Sequence, residues 1–180
     1  MRTITSMQPE YLLPSLELVE QVFTEHVNAD EGKLVRRLVE EIRSKKYYLP
    51  ELELLMLEDG EVVGYVMFSR FHLGGKYDDR LVILTPAAVK TSLQRQGISR
   101  ELITYGLRKA AEMGFTAALV EGNPANYRAR GFQTSANHGI VAGPNIHLPH
   151  VDCLMVTELV PGGLEGITGE VDYGMYETLR

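Results

Sequence analysis

Leu81-Val82-Ile83-Leu84-Thr85-Pro86-Ala87-Ala88-Val89, followed after a short linker by Gln94-Arg95-Gln96-Gly97-Ile98-Ser99, is the stretch whose reading decides the fold. It opens with an apolar run, Leu81 to Leu84. Beyond the loop, Ile98, Leu102, Ile103, Leu107, Ala110 and Ala111 recur at a helical period, and Arg100, Glu101, Thr104, Arg108 and Glu112 take the opposite face. The order is strand, loop, helix. The first N–H groups of a helix have no intrahelical acceptor and sit at the positive end of its dipole. Such a terminus can hold phosphate on backbone groups alone. Gly97 lets the backbone come close to a ligand, and Arg95 and Arg100 add positive charge. The same letters also fit an ordinary turn before a helix, so the rest of the chain must separate the two readings.

Downstream, Gly114 stands where a helix C-cap belongs, and Phe115 to Val120 reads as a short apolar strand. Strand, loop, helix and strand then form a unit of the length a parallel crossover needs. Glu121-Gly122-Asn123-Pro124 ends that strand, and Ala125 to Arg130 has room for a short helix before Gly131-Phe132. Gly139 to Ala142 and Cys153 to Leu159 are further strands, joined by a Pro- and Gly-rich loop carrying His147 and His150. The tail from Pro161 holds one short strand near Val171 to Tyr173.

Upstream, Arg2 to Ser6 is a first strand. Pro9 opens a helix marked by Leu12, Leu16, Val19, Val22 and Phe23, with Pro14 near its start. Asn28-Ala29-Asp30-Glu31-Gly32 reads as a turn. Leu34, Leu38, Val39 and Ile42 mark a second helix, with Lys45 and Lys46 at its end. Glu51 to Leu57 and Val62 to Phe68 are the arms of a hairpin around Asp59-Gly60. Gly74 to Asp79 is a polar loop. The result is a mixed α/β layered fold, a sheet flanked by helices, expected to be one domain over residues 1–180.

Composition excludes several classes. Apolar residues make up 44% and charged residues 23%, a globular balance. A net charge of −6 argues against nucleic acid, which needs a basic footprint. Cys153 is the one cysteine, so no internal disulfide forms, and a reducing, cytoplasmic compartment is expected. Its ordinary reading is a buried small hydrophobe beside Leu154 and Met155. No CxxC or HExxH pattern occurs, so no metal site is expected. No apolar run reaches the roughly 20 residues of a membrane span, and the N-terminus lacks a signal-like apolar segment.

The element order, with this loop in this place, resembles the GCN5-related N-acetyltransferase (GNAT) family. That family's phosphate loop has the form Gln/Arg-x-x-Gly-x-Gly/Ala, and Gln94-x-x-Gly97-x-Ser99 matches except at its last position. Ala88-Val89 sits where the family carries a hydrophobic-Ala-Val stretch. Tyr127, four residues before Gly131-Phe132, matches the family's tyrosine. The ending Leu159-Val160-Pro161-Gly162-Gly163-Leu164-Glu165-Gly166 and Gly122-Asn123-Pro124-Ala125-Asn126-Tyr127 resemble a subfamily of predicted acetyltransferases. Two positions depart from the pattern. Ser99 replaces Gly or Ala, and is small enough to fit. Val120 replaces an Asn that contacts the cofactor arm, with Asn123 or Asn126 as the substitutes.

The resemblance implies a mostly antiparallel twisted sheet with a central β-loop-α-β cofactor unit, and acetyl-CoA as co-substrate. The N–H groups of Gln94, Arg95, Gln96, Gly97, Ile98 and Ser99 would hold the pyrophosphate, with Arg100 beside them. The backbone near Ala88 and Val89 would pair with the amide arm and stabilise an oxyanion. Tyr127 would protonate the leaving thiolate, its ordinary alternative being a packed aromatic. The acceptor is a small-molecule amine or a protein or peptide amine, and it must lose a proton before attack. Glu121 is the first candidate base and His72 the second. The alternative to an enzyme is a non-catalytic acyl-CoA sensor or interaction module on the same fold. A doubly wound nucleotide-binding protein is excluded, since GxGxxG and Gly-Lys-Ser/Thr are both missing. Monomer and homodimer are equally open.

Overall fold

The computed structural model describes residues 1–180. The chain forms two compact units built from alternating segments: Met1–Ser69, Thr85–Gly106 and Tyr176–Arg180 make the first, and Arg70–Leu84 with Leu107–Met175 the second. The architecture is the expected one, mixed α/β with a mostly antiparallel sheet flanked by helices.

In the first unit, β1 (Arg2–Ser6), β2 (Glu53–Glu58) and β3 (Glu61–Arg70) are successive antiparallel neighbours. Asp59-Gly60 makes the β2–β3 turn, both residues at positive φ (50° and 85°), as a tight two-residue hairpin requires. Helices α1 (Leu12–His26) and α2 (Ala29–Arg43) pack against each other. Pro14 falls in the first turn of α1, where its missing N–H costs no helical bond.

The expected turn over Asn28–Gly32 is a correction. Asn28 is the N-cap of α2, its side chain accepting from the Glu31 N–H at 2.8 Å, and the following residues are already helical. Asp30 and Glu31 in that first turn complement the dipole. Gly32 lies inside the helix because a Cβ there would come within 2.1 Å of Thr24 Oγ1. It is a contact point between helices, not a breaker.

A buried polar knot pins the two helices to the sheet. Glu53, fully buried, meets Arg43 Nε at 2.8 Å and accepts from the hydroxyls of Tyr48 and Tyr65. Arg43 also donates to Ser15 Oγ at 2.8 Å and to the Leu12 carbonyl at 3.1 Å. Every polar group of the knot has a partner, which is the condition for burying a charge without a large penalty. The chain's last segment is held in the same unit. Tyr176 is fully buried, and the N–H groups of Glu177 and Thr178 donate to the Glu41 carboxylate at 2.7 and 2.8 Å.

In the second unit, the first half of β4 (Leu81–Val89) pairs in parallel with β5 (Ala117–Glu121); the chain between them carries α3 (Ile98–Glu112), whose residues up to Gly106 belong to the first unit. β5 pairs antiparallel with β8 (Leu154–Glu158), which pairs antiparallel with β6 (Gln133–Thr134). A short helix, α4 (Pro124–Arg128), follows β5. β7 (Ile140–Ala142) and β9 (Gly169–Val171) form a separate parallel pair. β6 is absent from the sequence reading, and the tail strand lies slightly earlier than Val171–Tyr173. Cys153 is half-buried in a 3-10 turn rather than in the core. No helix is long and apolar enough to cross a membrane.

Candidate active site

The loop of the first unit follows from its backbone. β4 ends at Val89, with Ala88 buried, and a 3-10 turn over Thr91–Leu93 leads into the loop. The chain turns left-handed at Arg95 (φ 64°) and again at Gly97 (φ 83°). Glycine adopts this region freely, whereas a residue with a Cβ loses roughly 1–2 kcal/mol. A backbone that alternates hands in this way turns successive N–H groups into a concave anion site. The first i→i−4 bond of α3 runs from the Glu101 N–H to the Gly97 carbonyl at 3.0 Å. The N–H groups of Ile98, Ser99 and Arg100 precede it and have no helical acceptor.

A Cβ on Gly97 would stand 3.3 Å from an Arg100 guanidinium nitrogen, so Arg100 folds over the loop. Gln94 behaves differently from its neighbours. Its N–H donates within the 3-10 turn to Thr91, at 3.4 Å, and its side-chain amide donates to the Val89 carbonyl at 3.2 Å. The N–H groups available to an anion are therefore those of Arg95 to Ser99, beside a positive helix end and Arg100, an arrangement that could hold a phosphate ester.

The second unit contains the remaining candidates. Tyr127 lies in α4 with 9% of its surface exposed. Its ring meets Phe132 edge-on, at a centroid distance of 5.7 Å. One edge of the ring is set by Gly122, where a Cβ would approach Tyr127 Cε2 to 2.5 Å. Burial raises the Tyr127 pKa above the ordinary phenol value, and Arg130 partly offsets this. The hydroxyl therefore stays protonated at neutral pH, as a proton donor must. The two asparagines have protein partners. Asn123 caps α4, accepting from the Ala125 N–H at 3.0 Å, and Asn126 accepts from Arg130 at 3.1 Å.

Glu121, at the exposed end of β5, accepts from the Tyr173 hydroxyl at 2.8 Å. The Tyr173 ring lies 6.2 Å from that of Phe71, which is buried and stacks on His72 at 6.3 Å. The two candidate bases thus flank one aromatic cluster, although Nδ1 of His72 is already accepting from the Gly75 N–H at 3.0 Å. Tyr173 escapes a reading of the sequence because its contact with Glu121 spans 52 residues and has no local pattern. An apolar cavity of about 360 Å³ is lined by residues including Ile146, Leu148 and Val151. His147 and His150 alternate with these and are exposed, outside its lining. His150 instead accepts from the Asp152 N–H at 3.1 Å. A hydrogen bond from Thr134 and the charge of Arg128 hold the Asp152 carboxyl below its ordinary value.

Residues 17–135 match the model of the acetyltransferase (GNAT) family. The chain is 33% identical over 117 residues to the uncharacterized N-acetyltransferase YhbS of Escherichia coli K12, covering 64% of this chain and 67% of that protein. It is 32% identical over 131 residues to YjhQ of the same organism, another uncharacterized N-acetyltransferase, covering 72% and 70%. The fold superposes on the crystal structure of E. coli YhbS in complex with CoA, with a TM-score of 0.82 at 28% identity, over 96% of this chain and 89% of that one. A GNAT family acetyltransferase from Brucella melitensis, solved with acetyl-CoA, shares the fold at a TM-score of 0.74 and 23% identity, over 100% and 99% of the two chains.

Proposed function

The chain belongs to the GNAT acetyltransferase family, and from that premise we propose that it moves an acetyl group from acetyl-CoA to a primary amine by direct transfer in a ternary complex. The observation that carries this reading is the pair of left-handed residues, Arg95 and Gly97, opening the N-terminus of α3. It is a backbone anion site of the kind a pyrophosphate needs. A relative at 28% identity was crystallised with CoA. The two units act as one acetyltransferase domain over residues 1–180.

Acetyl-CoA supplies an activated acyl carbon and a thiolate leaving group. The N–H groups of Arg95 to Ser99, with Arg100, bind the pyrophosphate. The backbone at Ala88 and Val89 orients the amide arm, and one of its N–H groups polarises the reacting carbonyl. With its side-chain oxygen engaged within the chain, either Asn123 or Asn126 has only its amide NH2 group left to meet the arm. Tyr127 donates a proton to the departing sulfur. From a phenol near ~10 to a thiol near ~8.5 that transfer is uphill by about 2 kcal/mol, and burial of Tyr127 adds to the gap. A hydrogen bond formed as the sulfur takes up charge makes this tolerable.

On the acceptor side, Glu121 removes the proton from the incoming amine, directly or through water, and Tyr173 fixes the carboxylate. A Lys-like amine has a pKa of ~10.4, so a base is required near neutrality. The test is thiol release from acetyl-CoA across a panel of primary amines, from small polyamines to lysine-containing peptides. Turnover with at least one amine is expected. Thermal stabilisation by acetyl-CoA with no turnover on any amine would overturn the enzyme reading in favour of an acyl-CoA sensor.

A further inference from the structure

We propose that Glu25 and His26, at the C-terminal end of α1, are positioning residues that hold the phosphate loop in its binding shape before any ligand arrives. Glu25 Oε2 accepts from the Thr91 hydroxyl at 2.6 Å, gripping the 3-10 turn that launches the loop. His26 Nε2 lies 2.9 Å from the side-chain nitrogen of Gln94. That same nitrogen donates to the Val89 carbonyl at 3.2 Å, so one amide group closes the base of the loop and ties it to α1. An amide NH2 has two hydrogens, enough for a contact to each of these two atoms.

Two further contacts brace the loop from other elements of the same unit. Arg2 of β1 donates to the Gln96 side chain, and Lys90 pairs with Glu61 of β3 at 3.0 Å. The Lys90 N–H also bonds the Val63 carbonyl at 2.9 Å. The loop is therefore fastened on three sides by groups whose atoms are spent on protein contacts. The hydrogen bonds from Thr91 and Gln21 hold the Glu25 carboxyl below its ordinary value, consistent with an acceptor that stays ionised.

The physical need for a brace is local. Arg95 sits in a left-handed conformation that a residue with a Cβ leaves when unrestrained. A loop that must be ordered at the moment of binding loses affinity by that cost. Fixing Thr91 and Gln94 transfers the ordering to folding. The inference rests on the assignment of this loop to pyrophosphate. It predicts an effect on ligand affinity and none on the chemical step.

Calorimetric titration of CoA into the full chain tests it, with Thr91→Val and Thr91→Ser as a matched pair and Glu25→Gln beside them. Thr91→Val keeps the shape and loses the hydroxyl, whereas Thr91→Ser keeps the hydroxyl. We expect Thr91→Val to weaken CoA binding about fivefold, the size of one lost hydrogen bond, Glu25→Gln, whose amide oxygen still accepts but carries no charge, to weaken it about two- to threefold, and Thr91→Ser to bind within about twofold of wild type. Hydrogen exchange at the amides of residues 95–99 should quicken in Thr91→Val without CoA, while kcat at saturating acetyl-CoA stays unchanged. Equal CoA affinity in all four proteins, or an equal loss in Thr91→Ser and Thr91→Val, would overturn the brace. Wild type that binds no CoA would overturn the pyrophosphate assignment together with it.

Discussion

Gly122 and Tyr127 are fitted to one another: the smallest side chain possible on Gly122 would reach 2.5 Å from the tyrosine ring. Gly122→Ala must therefore push the ring off its seat against Phe132. A displacement of about 1 Å costs on the order of a hundredfold in a positioned proton transfer. We expect kcat to fall about ten- to a hundredfold while CoA affinity stays within about twofold, since the phosphate loop belongs to the other unit. Steady-state kinetics paired with CoA calorimetry separates the two quantities. Loss of CoA affinity with kcat intact would count against this use of Gly122.

The pH profile should show the base and hide the acid. The Tyr127 pKa is raised, so the protonated form persists across the neutral range and no descending limb is expected below about pH 10. The rate should rise with pH as the acceptor amine loses its proton. Glu121→Gln should slow the reaction most near pH 7, and the deficit should shrink as pH approaches the acceptor's own pKa. A deficit independent of pH would show that Glu121 only holds Tyr173 in place.

Acid should loosen the C-terminal segment first. Burial pushes the Glu41 pKa up, but Lys45 and the groups of Thr178 and Glu177 more than offset this, bringing it from 4.5 to about 2. A depressed carboxylate pKa contributes stability that is complete above about pH 4.5 and is lost as pH falls towards 2. The Glu41 partners Lys45, Glu177 and Thr178 lie at the protein surface, so after solvent screening the contribution is on the order of 1 kcal/mol. Urea midpoints of wild type and Glu41→Gln should differ most between about pH 5 and 7, and converge near pH 2. A gap that persists undiminished at the acid end would contradict the assignment.

The knot around Glu53 should behave as a unit. Removing the carboxylate in Glu53→Ala leaves Arg43 and two tyrosine hydroxyls buried without their acceptor. The expected loss is about 3–5 kcal/mol in denaturant unfolding, against about 1 kcal/mol for Tyr48→Phe, which leaves the ion pair intact. A small effect for both would mean that the unit relaxes around the site.

The parts of the fold visible in the sequence are those with local causes. The β4–α3–β5 unit shows itself through an apolar run, a helical period and Gly114, and the hairpin through Asp59-Gly60. What escapes lacks a local cause. β6 has two residues, too few for any period, and β7 finds its partner in β9, some thirty residues on. Gly32 reads as a turn because its reason for being glycine is Thr24 on another helix. The site divides the same way. Gly97 and Arg100 are legible from their place before a helix. The attachment of Glu25 and His26 to the loop, and of Tyr173 to Glu121, arises from tertiary contact alone.

Tyr127→Phe tests the central claim most directly, because it deletes one hydroxyl and leaves the ring against Gly122 and Phe132. The measurement is the rate of thiol release from acetyl-CoA at saturating amine, with acetyl-CoA affinity determined on the same preparations. The account predicts a rate about a hundredfold below wild type, the usual reach of a general acid, and an affinity within about twofold. Equal rates in the two proteins would contradict it.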